Sequence, residues 1–424
     1  MATSQNGQPT AFSDIPNEIV LRIFGCATFV PGALEADVSD PFEASQPLKF
    51  DMGHQIKSLQ MALDTKYSLV RVCKRWRTLA MPILYEAVSI HGLDGLYSVY
   101  QDLRNPNLQQ APDLGWWVRR MDLTLHDLVG EFEEIEDSVL SMIAYVFSRL
   151  PNLQILVVSI DTSAVEDMDV DDDSPPNRPI VDLVCGTIGA HCMPSLRMLS
   201  WESEPRPDSG IITALLGKQL YLQTVMIGGG DGADICPATL PQLPYLDFIT
   251  LIHGDNEGHG ISGTASFPAL RQVHIRWIDE DFDCIRQFLA FQAPRLTTSY
   301  ISLNETTGDS LYPVLEMNCP NLSHLILIGL VWRDFLHDEP KLPFPSRVTH
   351  LGISCKQLRA SDQEYINLFT WIIARMHRSI RIIRFMDASV SEDLRHRHSG
   401  ILAHALLPFA GSNIRVEDNE GNNF

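Results

Sequence analysis

The sequence predicts an α/β protein: a short helical segment followed by a long solenoid, with parallel strands on the concave face and helices on the convex face. Three observations predict it. A short apolar phrase returns at a nearly constant interval. Amphipathic stretches of helical spacing lie between its copies. The first ninety residues carry helical spacing without the repeat.

The phrase is clearest in LPNLQILVVSI from 150, MPSLRMLSWES from 193, LPYLDFITLIH from 243, FPALRQVHIRW from 267, APRLTTSYISL from 293 and CPNLSHLILIG from 319. QLYLQTVMIGG from 219 and RVTHLGIS from 347 keep the apolar positions without the proline, and WVRRMDLTL from 117 and SIRIIRFMD from 379 read as outer copies. The anchoring residues are Val118, Leu153, Leu196, Leu222, Leu246, Leu270, Leu296, Leu322, Val348 and Ile380; from Leu196 to Val348 they recur every 24 or 26 residues, and the outer gaps are 35, 43 and 32. Each copy reads L-x-x-L-x-L, a strand whose alternate side chains enter a core. One strand and one helix cannot bury their apolar faces alone, whereas stacked copies can. The period and phrase resemble a degenerate leucine-rich repeat array. No regular asparagine follows the third apolar position, and Ser299 occupies an apolar slot. The competing reading, a doubly wound sheet, lacks a phosphate-binding fingerprint after an early strand.

In FSDIPNEIVLRIFGCA, Ser13 or Asp14 can cap a helix with Pro16 in its first turn and Glu18 just after. Ile15, Ile19, Val20, Ile23 and Phe24 form its stripe. From Thr28 to about Gln46 the pattern dissolves among Pro31, Pro41, Pro47 and acidic residues, which suggests a mobile insertion. In YSLVRVCKRWRTLA the residues Leu69, Val72, Cys73, Trp76, Leu79 and Ala80 follow three-four spacing, with the basic residues Arg71, Lys74, Arg75 and Arg77 mostly off the stripe, and the run stops at Met81-Pro82. Further on, DSVLSMIAYVFSRL from Asp137 places Val139, Leu140, Ile143, Phe147 and Leu150 on one face. In SDQEYINLFTWIIARM, Ser361 and Glu364 form a capping box ahead of Ile366, Phe369, Ile373 and Met376. The expected organisation is a disordered tail (1–11), a helical module with an inserted loop near 28–60 (12–82), the solenoid with an acidic loop near 161–179 (83–415), and a polar tail (416–424). Helical pieces as small as those of the front module rarely fold alone, so they need the solenoid, a partner, or both.

FSDIPNEIVLRIF followed by LVRVCKRWRTLAMPILYEAVSI resembles an F-box. Ile15-Pro16-Asn17-Glu18 stands where the family has its Leu-Pro-x-Glu helix start, and Val72-Cys73-Lys74-Arg75-Trp76 stands for its Val-Cys-(Lys/Arg)-x-Trp helix. Met81-Pro82-Ile83-Leu84-Tyr85 resembles the usual junction into a leucine-rich repeat array, making LYEAVSI the first strand. The roughly 40-residue insertion is longer than the compact module has, and the resemblance covers about residues 12–90. It implies docking onto a Skp-type adaptor on a cullin scaffold while the C-terminal domain holds a protein substrate for ubiquitin transfer. Ile15, Pro16, Ile19 and Ile23 of the first helix and Val70, Cys73 and Trp76 of the later one would face the adaptor.

Composition narrows the rest. Lys+Arg number 32 against 53 Asp+Glu, a formal charge of −21. That charge repels phosphate backbones and anionic lipid, so neither nucleic acid nor a membrane is an expected partner. No apolar run is long enough to span a bilayer and no signal-like start is present, so the expected location is cytoplasm and/or nucleus. Eight scattered cysteines without a C-x-x-C pair read as reduced core thiols. DMDVDDD at 167–173 lacks the glycine and glutamate of a calcium loop, IGGGDGAD at 227–234 lacks the lysine of a phosphate loop, and His396-Arg397-His398 lacks metal spacing. No cofactor, metal or catalytic set is expected.

On the solenoid, the side chains alternating with the core positions face the concave surface. Candidates for substrate contact there are Phe248, Thr250, Gln272, His274, Arg276, Tyr300, His324 and Ile326. Arg120, Asp122, Ile155, Val157, Met198, Ser200, Thr224, Met226, Thr298 and His350 share the face. The expected function is that of a non-catalytic substrate-recognition subunit of an SCF-type (Skp-cullin-F-box) ubiquitin ligase. The alternative is a repeat-based interaction scaffold outside any ligase.

Overall fold

Pro16 opens the first helix. The computed structural model describes residues 15–37, 40–42, 52–105, 114–125, 132–161, 178–191, 193–204, 207–228, 240–252, 267–276, 283–303, 308–335, 342–357 and 359–424. Helix α1 spans Asn17–Ala27, with Pro16 at its N-cap position rather than inside the first turn; Ser13 and Asp14 lie outside the described residues. Only Val20 and Phe24 of its apolar stripe are buried. Helix α2 spans Met52–Val72, so the inserted segment is helical from Met52 onward instead of looping to about residue 60. The stretch read as one helix through Cys73 is two. Cys73 is extended (φ −161°, ψ 170°), and its Sγ accepts a hydrogen bond from the Trp76 N–H at the start of α3, Lys74–Tyr85. Pro82 sits inside α3, which continues to Tyr85.

Glu86 then hands the chain to the sheet. Strands β1 (Ala87–His91), β2 (Arg120–Leu125), β3 (Ile155–Asp161), β4 (Met198–Glu204), β5 (Thr224–Gly228) and β6 (Phe248–Ile252) are followed by β7 (Gln272–Arg276), β8 (Thr298–Leu303), β9 (His324–Gly329), β10 (His350–Cys355), β11 (Ile382–Phe385) and β12 (Arg415–Glu417). They form one parallel sheet of 12 strands in sequence order. The register is constant. Arg120, Ile155, Met198, Thr224, Phe248, Gln272, Thr298, His324, His350 and Ile382 form one column across it. Because side chains alternate along a strand, that column and the one two residues on share the concave face, and the column between them enters the core. The fold is a leucine-rich-repeat-like solenoid, as the period predicts.

On the other side lie α4 (Gly92–Arg104), α5 (Phe132–Ser148), α6 (Arg178–Ala190), α7 (Ser209–Gly217), α8 (Asp283–Gln292), α9 (Gly308–Asn318), α10 (Asp362–Arg375), α11 (Ala388–His396) and α12 (Ser399–Leu406). Their apolar faces and the inner strand positions share one continuous core running from Ile90 to Val416. The capping box of Ser361 and Glu364 is present, but Tyr365, Leu368, Phe369 and Ile372 form the buried face of α10, and Ile366 is exposed. The stripe read from the sequence is therefore turned by about one residue. Side chains of the phrase also stitch neighbouring copies. Asn152 Nδ2 donates to the Trp116 carbonyl, Ser195 Oγ to the Pro151 carbonyl, and Asn321 Nδ2 to the Pro294 carbonyl.

The C-terminal residues are not a loose polar tail. Val416, Glu417 and Asp418 are buried, Arg415 N–H donates to the Arg381 carbonyl, and Phe424 packs edge-on against Phe385. Without β12, strand β11 would present Ile382 and Ile383 at an open edge, and such edges need cover.

Candidate functional site

Two surfaces carry the predicted site residues, one on the front helices and one on the concave face. On the first, Phe24 and Val20 pack with Ala80 under Ile15, Leu69, Val70, Trp76, Leu79 and Ile83. Trp76 meets Phe24 edge-on at 4.8 Å between ring centres. Ile15, Val70 and Trp76 thus spend part of their surface on their own module. Pro16, Ile19, Ile23 and Cys73 are exposed, Ile19 by 49% and Ile23 by 50%. Sequence reasoning did not assign Leu21, Phe29, Tyr67 and Val72 to the docking surface, yet they add exposed apolar area on these helices and just after α1. Arg75 ties the starts of α1 and α3 together, donating to Asn17 Oδ1 at 3.0 and 2.8 Å and to the Ile15 carbonyl. One member of the basic cluster is therefore structural. The reading of all eight cysteines as core thiols also needs correction, since Cys26 and Cys73 are exposed while Cys185, Cys319 and Cys355 are buried. Burial pushes those three thiols up to about 12, which leaves them uncharged and unreactive at neutral pH.

The concave face departs from expectation. Phe248, Tyr300 and Ile326 are closed off in a second apolar cluster with Ile155, Val157, Met198, Met226 and Ile328. Thr250, Gln272 and His274 are buried as well; only Arg276 and His324 among the substrate candidates keep partial exposure. The candidates are brought together, but as an interior, not as a free surface.

What covers them is the segment read as a mobile insertion. Gly32, at φ 72°, turns the chain into the concavity. Arg120 Nη1 donates to the Ala33 carbonyl at 2.9 Å and to Gln55 Oε1 at 3.0 Å. Thr224 Oγ1 donates to the Ala36 carbonyl at 3.0 Å. Asp40 stands 3.5 Å from His324 Nδ1, and the Pro41 carbonyl accepts from Arg384 Nη1 at 3.4 Å. Phe42 lies against His324 (5.1 Å), His350 (5.0 Å) and the Arg384 guanidinium (5.3 Å). Ala36, Phe42 and Ile56 pack on the second cluster. Eight residues reach at most about 29 Å, while β2 to β11 in a flat sheet would span about 43 Å. The long arginine side chains at both ends and the curvature of the sheet together close that gap.

Two signals pointed to this cover. Ile155, Val157, Met198, Met226, Phe248 and Ile326 make the concave columns too apolar for bare surface, and Leu34, Ala36 and Phe42 are apolar residues within the acidic stretch.

Electrostatically the face is dry. Burial, helped by the Arg276 and Lys356 charges, lowers His274 to about 3, and its Nε2 stands 3.0 Å from Ser302 Oγ. Burial lowers His324 to about 4, against the pull of Asp40. Burial also lowers His350. All three imidazoles are neutral at pH 7. Among the described residues no group of three His, Cys, Asp or Glu could hold a metal ion, and no helix is long and apolar enough to cross a membrane. His398 instead bonds Asp362 at 2.6 Å and Asp393 at 3.4 Å. The acidic run at 167–173 and most of the glycine-rich stretch at 227–234 lie outside the described residues.

No protein-family model matches the sequence, and no curated protein is significantly similar to it. Among solved structures, a complex of Rad7 and Elc1 in yeast is matched at 12% identity, over 80% of this chain and 91% of that one, with a TM-score of 0.26. A likeness that faint carries no argument about activity or partner, and the fold rests on the strand pairing within the chain itself.

Proposed function

We propose that this chain is a non-catalytic substrate receptor of a cullin-type ubiquitin ligase. Residues 12–82 would form the F-box-like module that docks on a Skp-type adaptor, and residues 83–415 the repeat domain that captures a protein. The observation that supports the reading most is the outward pair Ile19 and Ile23, one helical turn apart on α1, each about half exposed although Val20 and Phe24 beside them are sealed. A helix with two apolar faces, one of them unpartnered, is shaped for a second polypeptide. Exposed Val72 and Cys73 at the α2–α3 break extend that surface. Function would then follow from positioning, by raising the local concentration of a captured protein near the ubiquitin-carrying enzyme.

The test is capture of a purified Skp-type adaptor by the full chain and by the Ile19→Asp/Ile23→Asp variant. Both positions face solvent, so the variant keeps its fold and loses capture at least tenfold. Equal capture by the variant, or none by the native chain, would sink the assignment and leave the interaction scaffold as the better reading.

A further inference from the structure

The strap on the concave face is held as a protein holds a peptide. Its main-chain carbonyls at Ala33, Ala36 and Pro41 accept hydrogen bonds from sheet side chains, a mode indifferent to strap sequence. One side chain is read individually: Phe42 fills the niche between His324, His350 and Arg384, with Asp40 beside it and its own N–H donated to Asp40 Oδ1 at 2.9 Å. An acid-proline-aromatic turn is thus presented to an aromatic and cationic niche.

That niche does not depend on the strap. Arg384 donates to Glu417 at 3.1 and 2.7 Å, and Gly421 leaves room for its guanidinium, since a Cβ there would stand 2.8 Å from Nη2. His324 and His350 pack edge-on at 4.6 Å between ring centres. These contacts lie outside the strap, and the niche they form presents a cation and two ring edges to an aromatic side chain.

We propose that the niche formed by His324, His350 and Arg384 is a peptide-recognition site for acid-proline-aromatic segments. In this structure the chain's own Asp40-Pro41-Phe42 occupies it. A partner protein carrying such a segment displaces the strap and takes the same contacts. The inference rests on the receptor reading for what is captured, but the binding itself needs no adaptor. Tethering makes the strap a competitor at high local concentration. If it occupies the niche 90–99% of the time, a free peptide binds about 10–100-fold more weakly than it would to an open niche.

The test uses a fluorescent peptide of residues 36–46, ADVSDPFEASQ, titrated into the full chain without adaptor. Asp40→Ala/Phe42→Ala in the chain is expected to tighten binding at least tenfold over the native chain. Adding His350→Ala to that variant is expected to abolish the gain, as is replacing phenylalanine by alanine in the peptide. A melting temperature close to native shows that the variant is folded; no tightening in such a chain overturns the proposal, leaving the strap a structural cover only. Should the variant unfold, a photo-crosslinking benzoylphenylalanine at the peptide's aromatic position decides the matter with the native chain. Adducts on β9 or β10 support the site, and adducts elsewhere or none overturn it. The Ile19→Asp/Ile23→Asp variant is expected to bind the peptide as the native chain does, so loss of adaptor capture and loss of peptide binding report on separate claims.

Discussion

Arg120 and Asp122, two residues apart on β2 and on the same face, pair at 2.8 Å with both side chains almost wholly buried. The pair lies under the strap, and Arg120 spends a second nitrogen on Ala33 and Gln55. Burial drives Asp122 upward while the Arg120 charge and hydrogen bond pull it back. Breaking such a pair strands the surviving charge. Asp122→Ala is expected to cost about 3–5 kcal/mol in urea unfolding. Joint replacement by apolar residues of similar size, Arg120→Met/Asp122→Leu, is expected to cost far less in the same measurement.

Trp76 and Ile19 should separate stability from docking. Trp76→Ala removes the ring that meets Phe24 edge-on and is expected to destabilise by about 2–4 kcal/mol. Ile19→Ala removes half-exposed surface and is expected to stay within about 0.5 kcal/mol. Thermal unfolding of the two single variants checks the contrast, and a similar loss in both would mean that Ile19 is load-sharing in the core.

Ser299 stands in the apolar column between Val273 and Leu325, fully buried, and its hydroxyl finds no partner among the described residues. A buried hydroxyl left unpaired is a standing cost. Ser299→Ala is expected to stabilise by about 1 kcal/mol, read as a shift of the urea midpoint at unchanged slope.

The neutral histidines set an acid limit. In the folded chain burial lowers His274 to about 3 and His324 to about 4, whereas an unfolded histidine is half-protonated near 6.5. Protons therefore favour the unfolded chain. Stability is full above pH 6.5 and falls as pH drops toward 4, by up to about 1.4 kcal/mol per pH unit for each group. Unfolding at pH 7.0, 5.5 and 4.5 should show this slope, reduced by roughly one histidine's share in His274→Gln.

Much of the architecture was legible because its signals are local or periodic. The returning phrase located the strands, since L-x-x-L-x-L both sets the alternation and supplies the core. Ser361 and Glu364 marked the start of α10 because a capping box involves four adjacent residues. Less legible was anything decided by competition between faces. Ile366 and Leu368 are equally apolar, and only packing chose Leu368. Cys73 fitted a helical stripe and instead broke the helix, because its extended backbone and thiol cap the next one. Val416 and Phe424 read as part of a tail, since nothing nearby in sequence announces the Ile382 edge that they cover.

By itself the sequence determined a stack of strand–helix units in which every strand pairs with its chain neighbours, because a period near 25 residues leaves each unit an apolar face that only the next copy can bury. It also determined that the front helices carry more apolar surface than one face can hide. Only the tertiary structure decided that the concave columns are interior, that residues 33–37 and 40–42 close over them, and that Ile19 and Ile23 remain outside. Those outcomes depend on contacts between residues as far apart as Pro41 and Arg384, whose meeting follows from the curvature of the whole sheet and leaves no mark in the local pattern of either.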